Sequence, residues 1–368
     1  MILSYKINEE TNKVYIKKDI NSYILKELDR LYSDKKIMFV YDQNVSSKFV
    51  KNILDNLKLS GCEIVTLRLT GSKINKSSNT LFKILDYLID NKFTKKSVLI
   101  SLGGGVIGDI SGLASSLYLR GLIYMHIPTT ITAIVDSCIG GKCGVNYREI
   151  INSLGTYHHP KSVFIDLRVL NDMPEREYLA GIPEILKYGL IKNKNIINYL
   201  ISYKDLILKR NHKILEKLIY FSLQTKLFFF INDIFEKNKR LNLNFGHTFA
   251  HAYEMSTQKI FGKEIIRHGE AVGVGMLSEI LYSNNGKINE IYIRCKKILE
   301  SYNLPSNLEL YNSKSNLMDL TYKNIFLDKK KISKFPRYIK LKKIGEPKIS
   351  EMKNMNLIND VLFEMIEC

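Results

Sequence analysis

The stretch SVLISLGGGVIGDISGLASSLY, residues 97–118, decides the fold. Its first part, 97–102, is an uncharged run that reads as a buried strand. Three glycines follow, and apolar residues then recur at helical spacing over 106–118. Gly103, Gly105 and Gly108 satisfy the GxGxxG spacing. Glycine permits the tight turn and the close approach of a pyrophosphate, while the helix start offers N–H donors and the positive end of its dipole. A turn that merely packs closely would use the same residues. No acid stands about 20 positions downstream to hold a ribose hydroxyl, as the ordinary dinucleotide fingerprint requires. Such an acid would have to come from elsewhere, and Asp42, closing the strand-like KIMFVYD (36–42), is the candidate.

Outward from this turn the first half alternates in period. EIVTLRL (63–69), IYMHIP (123–128) and SVFID (162–166) read as strands, and 46–61 and 79–93 as amphipathic helices, the former closed by Gly61. That rhythm predicts a parallel sheet covered on both faces. From about Asp172 helical periodicity takes over. The expected fold class is therefore an α/β nucleotide-binding domain over 1–167 followed by a mainly α-helical domain over 168–368.

Composition excludes several classes. The chain has 368 residues, enough for two domains with a sizeable core, and no apolar stretch long enough to span a bilayer. The start, MILSYKINEE, lacks the pattern of a secretory signal. Five cysteines without CxxC spacing point to reduced thiols and a cytoplasmic setting. The net charge of +18 is spread along a chain rich in Lys, Asn, Ile and Tyr, apart from the run 329–331. We therefore expect neither a nucleic-acid nor a membrane partner; a phosphorylated small substrate is the anionic partner that charge of this kind favours.

The chemistry concentrates in the second half. His247 and His268 each open a helix beside glycine, in NFGHTFAHAYE (244–254) and RHGEAVGVGM (267–276), and Glu184 lies upstream in GIPEILKYG. Two histidines and a carboxylate from separate helices suit a catalytic divalent ion, which keeps an open position for substrate. Any one of the three taken alone would more often be a hydrogen-bonded helix-start residue. Lys187, three positions after Glu184, projects from the same helical face and calls for an anion. His251 shares a face with His247, and its spacing suits either a further ligand or a proton-transfer group.

These blocks, with IPTTITAIVDSCIGGKCGVN (127–146), resemble the 3-dehydroquinate synthase family over roughly residues 36–345 in unbroken order. The resemblance implies an NAD- and metal-dependent enzyme that closes 3-deoxy-D-arabino-heptulosonate 7-phosphate to 3-dehydroquinate with loss of phosphate. It implies Zn²⁺ or Co²⁺ on Glu184, His247 and His268. It implies NAD on Asp42, Gly103, Gly104, Gly105, Asp109, Thr129, Thr130 and Lys142. Around the substrate it places Lys187, Lys226, Arg240, Asn244, Glu236, Asp136, Lys142 and Asn152, with His251 in proton transfer and Lys330 as a late lysine. Arg120, in YLRG, matches an arginine that reaches a neighbouring subunit, which implies a homodimer. The alternatives are another cyclase of this superfamily, forming an inosose or valiolone ring, and a metal-dependent polyol dehydrogenase of the same architecture.

The chain departs from the family pattern in three places. A Gly-Glu-x-x-Lys segment that helps hold the adenosine half of NAD appears here as Gly71-Ser72-Lys73-Ile74-Asn75-Lys76, Gly-Lys-Asn appears as Ile150-Ile151-Asn152, and a threonine appears as Cys143. The lost cationic contact predicts weaker NAD binding than the family norm.

Overall fold

The computed structural model describes residues 1–7, 9–31, 36–148, 150–311, 316–327 and 335–367. The chain divides into two compact units. One comprises Met1–Pro174 with His212–Leu223 and Phe230–Phe235; the other comprises the segments Glu175–Asn211 and Gln224–Phe229 and the chain from Glu236 onward.

The first unit contains β1 (Ile2–Ile7), β2 (Glu10–Lys17), α1 (Asn21–Leu31), β3 (Lys36–Asp42), α2 (Ser47–Lys58), β4 (Glu63–Leu69) and α3 (Ser78–Asp90). There follow β5 (Val98–Gly103), α4 (Gly105–Leu117), β6 (Ile123–Pro128), β7 (Lys142–Tyr147), β8 (Ile150–Tyr157) and β9 (Ser162–Asp166). Seven strands form one sheet in the order β1-β2-β9-β6-β5-β3-β4. All neighbours pair in parallel except β1 with β2. The expectation of a parallel sheet thus holds for its body, while the antiparallel edge β1 and the separate β7–β8 hairpin are additions to it.

Alternate residues of the central strands feed two apolar layers, because successive side chains of a strand point to opposite faces. Ile37 and Phe39 pack with Ile24, Phe49 and Ile53 under α1 and α2. Met38 and Val40 pack with Leu81, Ile84, Ile107 and Ile110 under α3 and α4. A strand buried on both faces needs an unbroken apolar run, which is why KIMFV and VLIS lack polar alternation. The connections pass from β3 outward to β4 and then back across to β5 and β6. The strand order therefore reverses between β3 and β5, and the carboxyl ends of the strands at such a reversal are the place where open α/β sheets bind ligands. Asp42 ends β3, and Gly103 ends β5.

Glu27 of α1 ties this layer together. Its carboxylate has no solvent exposure and accepts hydrogen bonds from Lys13, Tyr15, Arg30 and Ser162. Burial alone would push its pKa up, but those donors outweigh it and hold the value at about 2, below the ordinary 4.5. A depressed carboxyl contributes stability that is present above pH 4.5 and lost as pH falls toward 2. Glu27→Ala is expected to cost about 3 kcal/mol at neutral pH, because it strands buried donors. Urea denaturation at pH 7 and pH 3 checks this: the gap between variant and wild type should narrow at the lower pH.

The second unit is built from α5 (Glu175–Leu179), α6 (Ile182–Ile191), α7 (Lys194–Ser202) and α8 (Lys204–Leu208), with part of α9 (His212–Phe230). It continues through α10 (His247–Phe261), α11 (His268–Ser283), α12 (Glu290–Ser301), α13 (Leu317–Leu327), the hairpin β10 (Arg337–Leu341) and β11 (Pro347–Glu351), and α14 (Met355–Ile366). Glycine lets α11 lie close to the start of α10 and to the backbone between α5 and α6. A Cβ on Gly275 would lie 2.1 Å from the Gly246 carbonyl oxygen, and one on Gly269 would lie 1.6 Å from that of Ala180. Gly246, at φ 84°, also turns the chain into α10 from the left-handed region. These contacts fix where the two helices begin, and each begins with a histidine.

Candidate active site

Glu184 stands in the first turn of α6, where Pro183 is tolerated because the first N–H groups of a helix have no internal partner. Its side chain is fully buried. Its Oε1 lies 3.6 Å from His247 Nε2 and 3.4 Å from His268 Nε2. A tetrahedral ion with bonds of about 2.1 Å holds its donors about 3.4 Å apart, whereas a direct hydrogen bond would draw them to about 2.9 Å. The spacing suits a shared ion. All three ligand atoms lie within 4.8 Å of one another.

The layer behind the ligands fits the same reading. His247 Nδ1 donates to the Phe245 carbonyl at 3.2 Å, and His268 Nδ1 donates to Glu254 Oε2 at 3.1 Å. Each ring thereby keeps a proton on Nδ1 and turns its Nε2 toward Glu184, the usual way outer partners orient metal-binding imidazoles. Burial opposes charge on both rings. At His247 burial, reinforced by the Lys187 ammonium, lowers the pKa to about 3. At His268 burial is outweighed by Glu254 and Glu184, and the pKa rises to about 10. His251, Glu254 and His268 form a second group of donors within 4.8 Å. Glu254 faces the outer nitrogen of His268, however, so it fits an orienting role better.

The anion-binding candidates of this unit are buried cations. Lys187 is 1% exposed, and its Nζ lies 2.5 Å from Glu184 Oε2. Lys226 and Arg240 are also buried. Asn244 Nδ2 donates to Glu236 Oε1 at 3.0 Å, and Glu236 itself sits at φ 56°, so this pair is held in a specified geometry. The His251 ring is exposed and stands perpendicular to that of His247 at 5.5 Å. Lys330, and Lys329 beside it, lie outside the described residues.

Besides Glu254, the sequence reading missed two supports of the centre. Glu270 of the His-Gly-Glu triplet caps α11 by accepting from Arg267 N at 2.8 Å. Arg176 of α5 grips the same carboxylate with two nitrogens at 2.7 and 2.8 Å. This bidentate pair fixes the first turn of α11, and with it His268.

In the other unit the Gly-rich turn lies at the switch point. A Cβ on Gly104 would meet Thr130 at 3.1 Å and one on Gly105 would meet Ser137 at 3.1 Å, while Thr129 N donates to the Gly103 carbonyl at 3.0 Å. None of the three glycines has a positive φ, so close approach rather than backbone strain requires them. Asp42 accepts from Gly71 N and Asn44 N at 3.1 and 3.0 Å. A Cβ at residue 71 would overlap its carboxylate. Asp136 stands in the wide turn Ala133–Ser137, and Lys142 is exposed at the start of β7. Arg120 is exposed at φ 65°, next to Leu119 at φ 49°.

Lys76 is the residue that sequence reasoning overlooked in this unit. Its Nζ lies 2.5 Å from both Asp109 Oδ2 and Asn152 Oδ1 and is largely buried. A cation from the segment before α3 therefore pairs with Asp109 of α4 despite the departures at 71–76 and 150–152. Its partners are 33 and 76 residues away, so no local pattern announces it.

Two family profiles match consecutive parts of the chain: 3-dehydroquinate synthase N-terminal over residues 66–180, and 3-dehydroquinate synthase C-terminal over 181–331. A protein of Clostridium botulinum (strain Alaska E43 / Type E3) named 3-dehydroquinate synthase is 36% identical over 359 residues, covering 95% of this chain and 97% of that one. One of the same name from Ruthia magnifica subsp. Calyptogena magnifica is 35% identical and covers 99% of each chain. Among solved structures, 2-deoxy-scyllo-inosose synthase complexed with carbaglucose-6-phosphate, NAD⁺ and Co²⁺ superposes with a TM-score of 0.88 over the whole of both chains, at 24% identity. The 2-epi-5-epi-valiolone synthase of Streptomyces hygroscopicus subsp. jinggangensis 5008, with NAD⁺ and Zn²⁺ bound, gives 0.85 at 24% identity over 98% of each chain.

Proposed function

The chain belongs to the 3-dehydroquinate synthase family, and from that membership we infer that it converts 3-deoxy-D-arabino-heptulosonate 7-phosphate to 3-dehydroquinate and phosphate. The observation that carries the reading is the convergence of Glu184 Oε1 with two imidazole Nε2 atoms at the edge length of a tetrahedral ion. When bound, NAD takes up and later returns a hydride, and the divalent ion polarises the substrate oxygens.

The chain's own residues bind, orient and move protons. Lys226 and Arg240 hold the carboxylate and phosphate of the substrate, Arg240 offering a planar fork for a carboxylate and Lys226 a point charge, while the Lys187 ammonium stands on Glu184. Being buried, they need no rearrangement of water to act, which strengthens their hold on an anion. Asn244, oriented by Glu236, fixes a hydroxyl or carboxylate oxygen. His251, exposed beside the ligand histidines, moves the proton that accompanies loss of phosphate. In the first unit Asp136 takes the nicotinamide and substrate edge, and Lys142 and Asn152 serve as binders of anionic groups. The helix N-terminus at Gly105, with Thr129, Thr130 and Asp42, receives the dinucleotide.

Lys76 supports NAD through Asp109 and Asn152. Removing it would leave Asp109, a partly buried carboxylate, close to where phosphates dock. Lys76→Ala is expected to weaken NAD binding about tenfold, equivalent to about 1.4 kcal/mol, and titration by intrinsic fluorescence or calorimetry checks it.

Two further readings belong to this proposal. Arg120, with Leu117 and Leu119 exposed beside it, marks the surface through which a homodimer forms, testable by light scattering. The setting is the cytoplasm, in keeping with Cys62, Cys138, Cys143 and Cys295 as free thiols. No helix among the described residues is long and apolar enough to cross a membrane.

The experiment that tests the reaction class follows NADH during turnover. A net dehydrogenase accumulates NADH in step with product, whereas this cyclase returns each hydride and accumulates none. Stoichiometric NADH would overturn the reading.

A further inference from the structure

We propose that Lys187 is a positioning residue that restricts Glu184 to a single-oxygen ligand, so that the ion keeps positions open for two substrate oxygens. The inference rests on the metal-centre reading above and deepens it. The two oxygens of Glu184 have different neighbours. Oε1 faces His247 Nε2 at 3.6 Å and His268 Nε2 at 3.4 Å, whereas Oε2 lies against Lys187 Nζ at 2.5 Å. A carboxylate binds a cation through one or both oxygens, and which it does depends on what else claims the second.

Lys187 has little freedom to release that claim. It sits one turn along the same helix and is 1% exposed beside a Glu184 that is fully buried. Its ammonium lies 5.1 Å from the ring centroid of Tyr188. Withdrawal into water is closed to it, and a buried carboxylate that lost its cation would find no solvent to replace it. The ion, already held by Oε1, is then a positive charge to which Oε2 can turn. Without Lys187, both oxygens would turn to the ion, its coordination would rise by one, and the substrate would compete for the position lost. An open coordination position separates a catalytic site from a closed structural one, so the lysine maintains the difference. It also draws electron density from the carboxylate, which leaves the ion a stronger Lewis acid.

The test uses the whole protein loaded with Co²⁺, whose visible d–d absorption is intense at four-coordination and weakens as coordination rises. Lys187→Met should hold Co²⁺ at least as tightly as wild type yet absorb several-fold more weakly, because both oxygens now bind. Lys187→Gln, whose amide can donate to Oε2, should restore the wild-type intensity. A merely structural role for Lys187 would move stability without this paired spectral response. An unchanged spectrum in Lys187→Met with metal bound overturns the proposal while leaving the metal centre intact. Failure of the wild type to bind Co²⁺ overturns both, and it does so independently of whether dehydroquinate forms. Should Lys187→Met fail to fold, a crystal structure of the Zn²⁺-loaded wild type decides: one Glu184 oxygen on the ion supports the proposal, and two overturn it.

Discussion

Replacing His268 by alanine is expected to remove bound metal and turnover together while the protein stays folded. The side chain offers one of the three atoms placed to hold a metal ion, and with it lost the remaining pair, His247 and Glu184, would leave an ion two protein donors. The site is small and about a third of the His268 side chain is exposed, so truncation leaves no large cavity and the melting temperature should move little. Glu254→Gln provides the graded comparison. It keeps the ring of His268 but weakens the partner that orients it, and changes in such outer partners cost about 10–100-fold in metal affinity or activity. Loss of the ligand itself should cost more than that. Elemental analysis of metal per chain, beside phosphate release, separates the cases; an alanine variant that retains one metal per chain and turns over normally would remove His268 from the centre.

The second large effect is expected from Gly269→Ala, which touches neither metal nor substrate. Its new Cβ would stand 1.6 Å from the Ala180 carbonyl oxygen, a backbone atom that cannot rotate away. Helix α11 must shift, and His268, the residue immediately before, must shift with it. We expect a loss of about 3 kcal/mol or more, at the upper end for overpacking, together with weakened metal binding. Gly262→Ala makes the control. Gly262 ends α10 at φ 69° with no heavy atom within 4 Å of its added Cβ, so the cost there should be only the backbone strain of about 1 kcal/mol, with metal affinity unchanged. Denaturation curves and metal titrations on the two variants check both halves.

The contrast between these glycines shows what a sequence carries and what it does not. The strands at 36–42 and 97–102 are legible because burial on both faces demands an unbroken apolar run. The histidines of the candidate centre are legible because glycine marks their helix starts. The β7–β8 hairpin is not legible in this way: β8 is exposed along most of its length, so no apolar period distinguishes it from a loop. The β1–β2 hairpin does alternate, with Leu3, Tyr5 and Ile7 inward, but over six residues and at an edge. Its pairing with β9, about 150 positions on, depends on the whole sheet. In the centre, Glu254, Glu270 and Arg176 gain their roles only once α5, α10 and α11 are packed. Lys76 escapes for the same reason. Residues of a type that can hold an ion are announced by type and spacing, whereas residues that hold those in place are set by packing between distant segments.

The most direct test incubates the purified protein with NAD⁺, Zn²⁺ or Co²⁺ and 3-deoxy-D-arabino-heptulosonate 7-phosphate, and measures phosphate release against dehydroquinate formed. Sedoheptulose 7-phosphate and glucose 6-phosphate serve as parallel substrates. The account predicts one phosphate per dehydroquinate with the first substrate, dependence on the metal, and no turnover of the other two. Turnover of either sugar phosphate in place of the heptulosonate would contradict it and assign the chain the chemistry of a sister cyclase.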